Sequence, residues 1–135
     1  MEKTVFAFDA YEPRRGSHSV TVRSGTSSKT QLIGQLSKDL RFPRHFGFNW
    51  DSFEECVNDL SWIRENKVAL IHEDIPLRTD GPNLAIYLSI LAHAISRFEY
   101  KRKKTLIVLF QSKDRKALMD FMKDNNVVSL PAQGG

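Results

Sequence analysis

The chain has 135 residues, 41% of them hydrophobic and 27% charged, with a formal net charge of +4 at pH 7. This length and composition exclude a largely disordered chain and predict one folded domain over residues 1–135. The single cysteine, Cys56, excludes an internal disulfide, and no apolar run approaches the roughly 20 residues that span a bilayer. The first residues lack the features of a secretory signal, so we expect a cytoplasmic protein.

Two segments near the amino terminus have strand character. Residues 4–8 are rich in β-formers and predict the first strand. Residues 11–28 combine turn signals with a possible short strand at 19–22, and we interpret them as a hairpin-like insertion. Ser27 or Ser28 then caps the first helix, in which leucine and isoleucine recur at helical spacing.

The middle of the chain predicts a buried strand followed by a long helix. Residues 67–72 include an unbroken apolar run, which suits a strand covered on both faces. The long helix opens at Gly81, and its apolar stripe is widened by Ile86 and Ile90, which predicts deep burial. We interpret His93 on this helix as a packed histidine of the core or its boundary.

The last third of the chain predicts one more strand and one more helix. Residues 105–110 form the third strand, and Ser112 caps the final helix. Residues 129–135 are expected to form a flexible tail. Strands separated by helices predict an α/β fold, with a small three-stranded parallel sheet, helices packed on it and an extra carboxyl-terminal helix.

Residues 42–62 carry the most informative pattern. Asn49 is a good N-cap for a helix that runs to about Trp62 and is apolar on its inward side. The outward side carries four carboxylates, which we call the acidic row: Asp51, Glu54, Glu55 and Asp59. No Lys or Arg within the helix neutralises them, which favours a cationic partner over a merely solvated surface.

The turn before this helix places three rings around a glycine. His45, Phe46 and Phe48 surround Gly47. Packing against neighbouring helices is the favoured role of the two phenylalanines, whereas His45 suits a partner contact equally well. Carboxylates beside aromatic rings suit a surface that fills a basic nucleic-acid-processing cleft, with carboxylates in place of phosphates and rings in place of bases.

At residues 42–60 the chain resembles the barstar-related family, the intracellular bacterial inhibitors of barnase-type ribonucleases. The resemblance is carried by the pattern Phe42-Pro43-x-x-Phe46-Gly47-x-Asn49-Trp50-Asp51-x-Phe53-x-x-Cys56-Val57-x-Asp59-Leu60. The order of strands and helices extends it over most of residues 4–110. The family's fold, a three-stranded parallel sheet with helices against it, agrees with the elements predicted above.

The resemblance implies an immunity-type inhibitor that blocks the active site of a small basic ribonuclease, and not an enzyme. By position it assigns partner contacts to His45, Asn49 and Asp51, and places Glu55 as the central carboxylate in the enzyme's phosphate site. Gly47 would allow close approach of the backbone. Glu54 and Asp59 are further candidates through their place in the acidic row. No cofactor or metal is implied, and neither a membrane nor a nucleic acid is expected as the partner.

Two other functions stay open at this point. A basic nucleic-acid-binding module would need Arg14-Arg15 and the basic cluster at 101–104 to share one face. An enzyme could use polar residues at the ends of the strands, where open parallel sheets bind ligands: Asp9, His72, Glu73 and Asp74. No phosphate-binding glycine loop or metal-spaced Cys/His set accompanies those residues.

Overall fold

The structure is a computed structural model that describes residues 5–8, 16–44 and 46–127. Its strands and helices follow in the order β1 (Ser17–Val22), α1 (Lys29–Asp39), α2 (Trp50–Asp59), β2 (Lys67–His72), α3 (Gly81–Lys101), β3 (Thr105–Leu109) and α4 (Arg115–Asp124). A 3₁₀ turn, Ser112–Asp114, directly precedes α4. The flexible tail predicted at 129–135 lies outside the described residues.

The three strands form one parallel sheet in the order β1-β2-β3. In the central strand, Leu70 is aligned with Val20 on one side and with Val108 on the other. Val68, Ala69 and Leu70 of this strand are fully buried, as the sequence predicts, and Ile71 is partly buried. The predicted α/β fold class, with its extra carboxyl-terminal helix, is confirmed.

The first strand of the sheet differs from the prediction. Within residues 5–8, only Ala7 forms a bridge, with Leu109, so a strand at 4–8 is wrong for the described part of that segment. The edge strand is instead β1, which belongs to the segment interpreted as a hairpin-like insertion at 11–28. That interpretation is wrong at Ser17–Val22, because β1 pairs in parallel with β2 and buries Val20 and Val22.

The first helix begins where the sequence places it. Ser28 is the N-cap, and its hydroxyl accepts a hydrogen bond from the Gln31 amide at 3.1 Å. The Gln31 side chain in turn accepts from the Ser28 amide, so the two residues form a capping box. The apolar stripe of α1 and the residue that follows the helix are fully buried: Leu32, Ile33, Leu36 and Leu40.

The long helix α3 is less deeply buried than its apolar content predicts. Most of its stripe lies in the core, but the Ile86 side chain is 41% exposed. His93, interpreted as a packed histidine, is also exposed. The two residues are seven positions apart, which is about two helical turns, so they lie on the same side of the helix. That side faces neither the sheet nor the core, so the expectations for Ile86 and His93 are wrong, whereas the burial predicted for Ile90 is confirmed.

The final helix also begins differently from the prediction. The Ser112 hydroxyl donates to the Phe8 carbonyl and caps no helix, because the 3₁₀ turn separates it from the first residue of α4. Leu118 and Met122 bury the inner side of α4. Ser112 therefore ties the amino-terminal segment to the end of the sheet.

Candidate partner-binding surface

The helix α2 is fixed by its cap and by its apolar side. The Asn49 side-chain oxygen accepts a hydrogen bond from the Ser52 amide at 2.8 Å, which confirms Asn49 as the N-cap. Phe53 and Val57 are fully buried and hold the inner side of the helix against the core. The helix ends at Asp59, three residues earlier than predicted, because Leu60 takes a left-handed conformation with φ of 50°.

The acidic row lies on the opposite side of α2, and all four of its side chains are exposed. Within the described part of the chain, none of these carboxylates forms an ion pair. Asp51 is in the first turn, where the positive end of the helix favours a negative charge. The row is therefore a set of carboxylates that the fold leaves free to meet a partner.

A groove of about 610 Å³ separates the acidic row from the side of α3 that the core does not cover. The wall on α3 consists of His93, Arg97 and Lys101, which we call the basic ridge. A hydrogen bond of 2.9 Å from the Trp50 indole to Asn83 ties the starts of the two helices together. The sequence pattern of residues 42–62 does not indicate the ridge, because these three side chains belong to a different helix.

The aromatic turn before α2 has one half-buried ring and one exposed ring. Phe46 is half-buried and packs edge-on against Phe42, with ring centroids 5.0 Å apart. Phe48 is 57% exposed, so the expectation that it packs against neighbouring helices is wrong. Its φ of 55° lies in the left-handed region that bulky residues rarely adopt. The signal for its exposure was present in the sequence, since so short a turn cannot bury every ring.

Gly47 has a local reason to be glycine. A Cβ added there would lie 2.8 Å from the Ser52 hydroxyl and 3.1 Å from the Asn49 side-chain nitrogen. A larger residue would therefore push against the groups that cap α2. His45, the other candidate of this turn, lies outside the described residues.

A second cleft, of about 190 Å³, borders the acidic row on the side of the aromatic turn. Glu55 and Asp59 line it together with apolar or half-buried neighbours that include Phe46, Cys56 and Trp62. Burial, and to a lesser degree Glu55 and Asp59, raises the pKa of the Cys56 thiol, so the thiol stays protonated at neutral pH. Carboxylates and aromatic rings therefore lie side by side in this cleft.

The strand ends do not assemble the alternative catalytic set. His72 is completely buried. Its Nε2 atom is hydrogen-bonded to the Tyr87 hydroxyl at 2.7 Å, and its Nδ1 atom to the Leu109 carbonyl at 3.0 Å. Glu73 accepts from the Ser24 amide, and Asp74 is paired with Arg78. Asp9 lies outside the described residues. Each of the three described side chains is therefore held by a partner within the fold.

The alternative of a basic nucleic-acid-binding module also loses support within the residues that the structure describes. Lys104 donates to the carbonyls of Ile63 and Glu65, at 2.8 and 2.6 Å, so one member of the basic cluster is held inside the fold. Arg14 and Arg15 lie outside the described residues. Across the described ranges, no group of His, Cys, Asp and Glu could hold a metal ion, and no helix has the length and apolarity needed to cross a bilayer.

The comparison with protein-family models shows to which family the chain belongs. The family model described as Barstar (barnase inhibitor) matches residues 18–111, which is well over half of the chain. The chain belongs to the barstar family. The description of the family names an inhibitor of barnase, and the match confirms the resemblance carried by residues 42–60. Searches of curated proteins and of solved structures found no match.

The extent of the match agrees with the corrected strand assignment. It begins at His18, within β1, and ends at Gln111, directly after β3. The barstar-family part of the chain therefore comprises nearly the whole sheet, α1, α2 and α3, including both walls of the groove. The helix α4 lies beyond it.

Proposed function

We propose that this protein inhibits a small cationic ribonuclease by covering the enzyme's active site with α2 and the turn before it. The contact residues would be His45, Gly47 and Asn49, followed by the acidic row of Asp51, Glu54, Glu55 and Asp59. The observation that carries the proposal is the exposed, unpaired acidic row, present in a member of the barstar family. An immunity role in the cytoplasm, without enzymatic activity of its own, is part of the same proposal.

The chemistry of the row suits an enzyme that binds RNA. A ribonuclease active site holds phosphates with cationic side chains, and carboxylates on a rigid helix can take the place of those phosphates. The fold already orients the row, because Phe53 and Val57 anchor the helix from behind. Little backbone order would have to be gained on binding, which favours affinity.

The exposed ring of Phe48 adds an apolar contact next to these charges. Aromatic side chains are frequent anchors at protein interfaces, where they are buried at the centre of the contact. The Phe48 ring contacts the Phe46 ring at a tilt of 49°, with ring centroids 5.0 Å apart, and presents the rest of its surface to solvent. We expect it to be buried in the complex.

The test begins with affinity capture of a ribonuclease on immobilised protein, followed by assays of RNA cleavage. Wild-type protein should inhibit the captured enzyme in a one-to-one complex. The double variant Asp51→Ala/Glu55→Ala should bind it at least about 30-fold more weakly, because loss of interface hot spots costs about 2 kcal/mol or more. Thermal unfolding should show that the variant remains folded.

The matched control is Glu99→Ala/Asp124→Ala, which removes the same number of exposed carboxylates from α3 and α4. It should inhibit as wild type does at physiological salt, because neither residue borders α2. Equal affinity of the acidic-row variant and wild type would place the interface elsewhere and contradict the proposal. Failure of the captured enzyme to be inhibited at all would do the same.

A further inference from the structure

The groove between α2 and α3 has walls of opposite charge. Four carboxylates of the acidic row face Arg97 and Lys101 of α3, with His93 beside them. All these side chains are exposed, and within the described residues no ion pair of 4.0 Å or less joins the two walls. The fold holds the two charge signs side by side without neutralising one by the other.

A group that enters this groove meets both walls. Arg97 and Lys101 line the same groove as the row, and charges in water act over about 8 to 10 Å at moderate salt. A partner surface that carried only cations would be attracted by the row and repelled by the ridge. A surface that sets an anionic side chain next to its cations would be attracted by both walls.

The contact surface continues along α3 beyond the charged part. A shallow hollow of about 450 Å³ connects Glu54 and His93 with Ile86, the exposed isoleucine. An apolar side chain at one end of a charged groove is typical of interfaces, in which apolar contacts are surrounded by polar ones. The two hollows share Glu54 and His93, so they form one surface along both helices.

We propose that the basic ridge of His93, Arg97 and Lys101 determines which ribonuclease this protein accepts. The accepted enzyme carries a carboxylate beside its cationic active site, and that carboxylate lies against Arg97 and Lys101 in the complex. A ribonuclease with a uniformly cationic surface around its active site is rejected by the same ridge. This inference rests on the proposed function, because it assumes that the acidic row is the contact surface.

The probe is purified barnase, the enzyme named in the family description and a cationic ribonuclease. Binding is measured by calorimetry and by inhibition of RNA cleavage at physiological salt. The charge-reversed variant Arg97→Glu/Lys101→Glu should bind barnase at least about 10-fold more tightly than wild type, and Arg97→Ala/Lys101→Ala should lie between them. The alanine variant keeps the test valid if charge reversal disturbs the fold.

A distant charge reversal separates local contact from the effect of net charge. Arg23→Glu/Lys123→Glu makes the same change in charge at exposed residues that line neither hollow of this surface. It should change the affinity for barnase less than about 3-fold. If this control gains as much affinity for barnase as the ridge variants do, the gain is an effect of net charge. If neither ridge variant binds barnase more tightly than wild type, the proposal is overturned. The same holds if no variant binds barnase at all.

A third set of variants distinguishes failure of the ridge from failure of the proposed function. Adding Asp51→Ala/Glu55→Ala to the charge-reversed protein should abolish its binding of barnase. If the captured ribonuclease requires the acidic row while the ridge variants leave barnase binding unchanged, only the ridge proposal fails. If binding never depends on Asp51 and Glu55, the proposed function fails as well.

Discussion

The acidic row on α2 and the polar residues at the carboxyl end of the sheet hold comparable numbers of ionisable groups but use them in opposite ways. We call the second region the strand-end cluster: His72, Glu73, Asp74, Arg78 and Asp114. Every member of the cluster has a partner within the fold, among them the Arg78–Asp114 pair at 2.9 Å. The members of the row have no ion pair within the described chain.

The difference separates groups that stabilise the fold from groups that are available for binding. Buried polar groups are costly unless they are hydrogen-bonded, and in the cluster the two buried members, His72 and Asp114, are bonded to Tyr87, Leu109 and Arg78. An exposed row of like charges contributes little to stability and is slightly self-repelling. Substitutions in the cluster should therefore affect unfolding, whereas substitutions in the row should affect binding.

The largest effect on stability is expected from pH. Burial lowers the pKa of His72 from 6.5 to about 4, and the hydrogen bond to the Leu109 carbonyl opposes the shift only in part. Because the unfolded chain binds the proton more readily, the stability contributed by neutral His72 is complete above about pH 6.5. It is lost as the pH falls towards 4, by about 3 kcal/mol.

Urea unfolding between pH 7.5 and 4 measures this loss. The variant His72→Gln, which cannot titrate, should be less stable at pH 7.5 but should lose much less stability across that range. Asp51→Ala/Glu55→Ala leaves His72 and its two hydrogen bonds in place, so it should keep the loss of stability that His72 causes. An unchanged slope for His72→Gln would mean that another group causes the acid sensitivity. Asp74, whose pKa is lowered mainly by Arg78, contributes stability that is lost only below that range.

A smaller effect is expected at Asp114, whose carboxylate is buried while Arg78 is half exposed. Asp114→Ala removes a charge-assisted hydrogen bond and should lower the free energy of unfolding by about 2 kcal/mol. Asp120→Ala, on the helix α4 that follows, removes only an exposed i,i+4 pair with Lys116 and should leave the free energy of unfolding unchanged within error. Neither substitution should alter the affinity for the captured ribonuclease. Weaker binding by Asp114→Ala, at a temperature where this variant is folded, would show that the strand-end cluster also contributes to binding.

A smaller effect than at Asp114 is expected at Asn49, which caps α2 and is also a proposed partner contact. Asn49→Ala loses the cap and should cost about 1 kcal/mol, whereas Asn49→Ser keeps an acceptor for the Ser52 amide and should cost a few tenths. Both variants should bind the ribonuclease more weakly if the Asn49 amide contacts it. If Asn49→Ser binds the ribonuclease as tightly as wild type does, Asn49 acts only as the N-cap of α2.

Local chemistry explains which parts of the fold were predictable from the sequence. The caps at Ser28 and Asn49 depend on residues three positions apart, and the burial of Phe53 and Val57 depends on helical period. These features are decided within one helical turn. The acidic row was predictable for the same reason, because its exposure follows from the side of α2 that the apolar residues take.

The features that were missed depend on how separate elements are placed. The possible strand at 19–22 is confirmed within β1, but its parallel pairing with β2 depends on a distant element, while residues 5–8 supply rings to the core with a single bridge. The exposure of Ile86 and His93 follows from where α2 and the sheet leave α3 uncovered. No local pattern could show that the basic ridge lies across a groove from the row, since about 40 residues separate them in sequence.

The central claim is that the ribonuclease contacts the acidic row and leaves the strand-end cluster alone. Backbone amide chemical shifts of the labelled protein, recorded with and without the captured ribonuclease, test it most directly. We predict the largest changes at residues 46–59 and along the exposed side of α3 from Ile86 to Lys101, with small changes in α4 and at residues 72–78. Changes concentrated in α4 or at the β1 edge, with α2 unperturbed, would contradict the account.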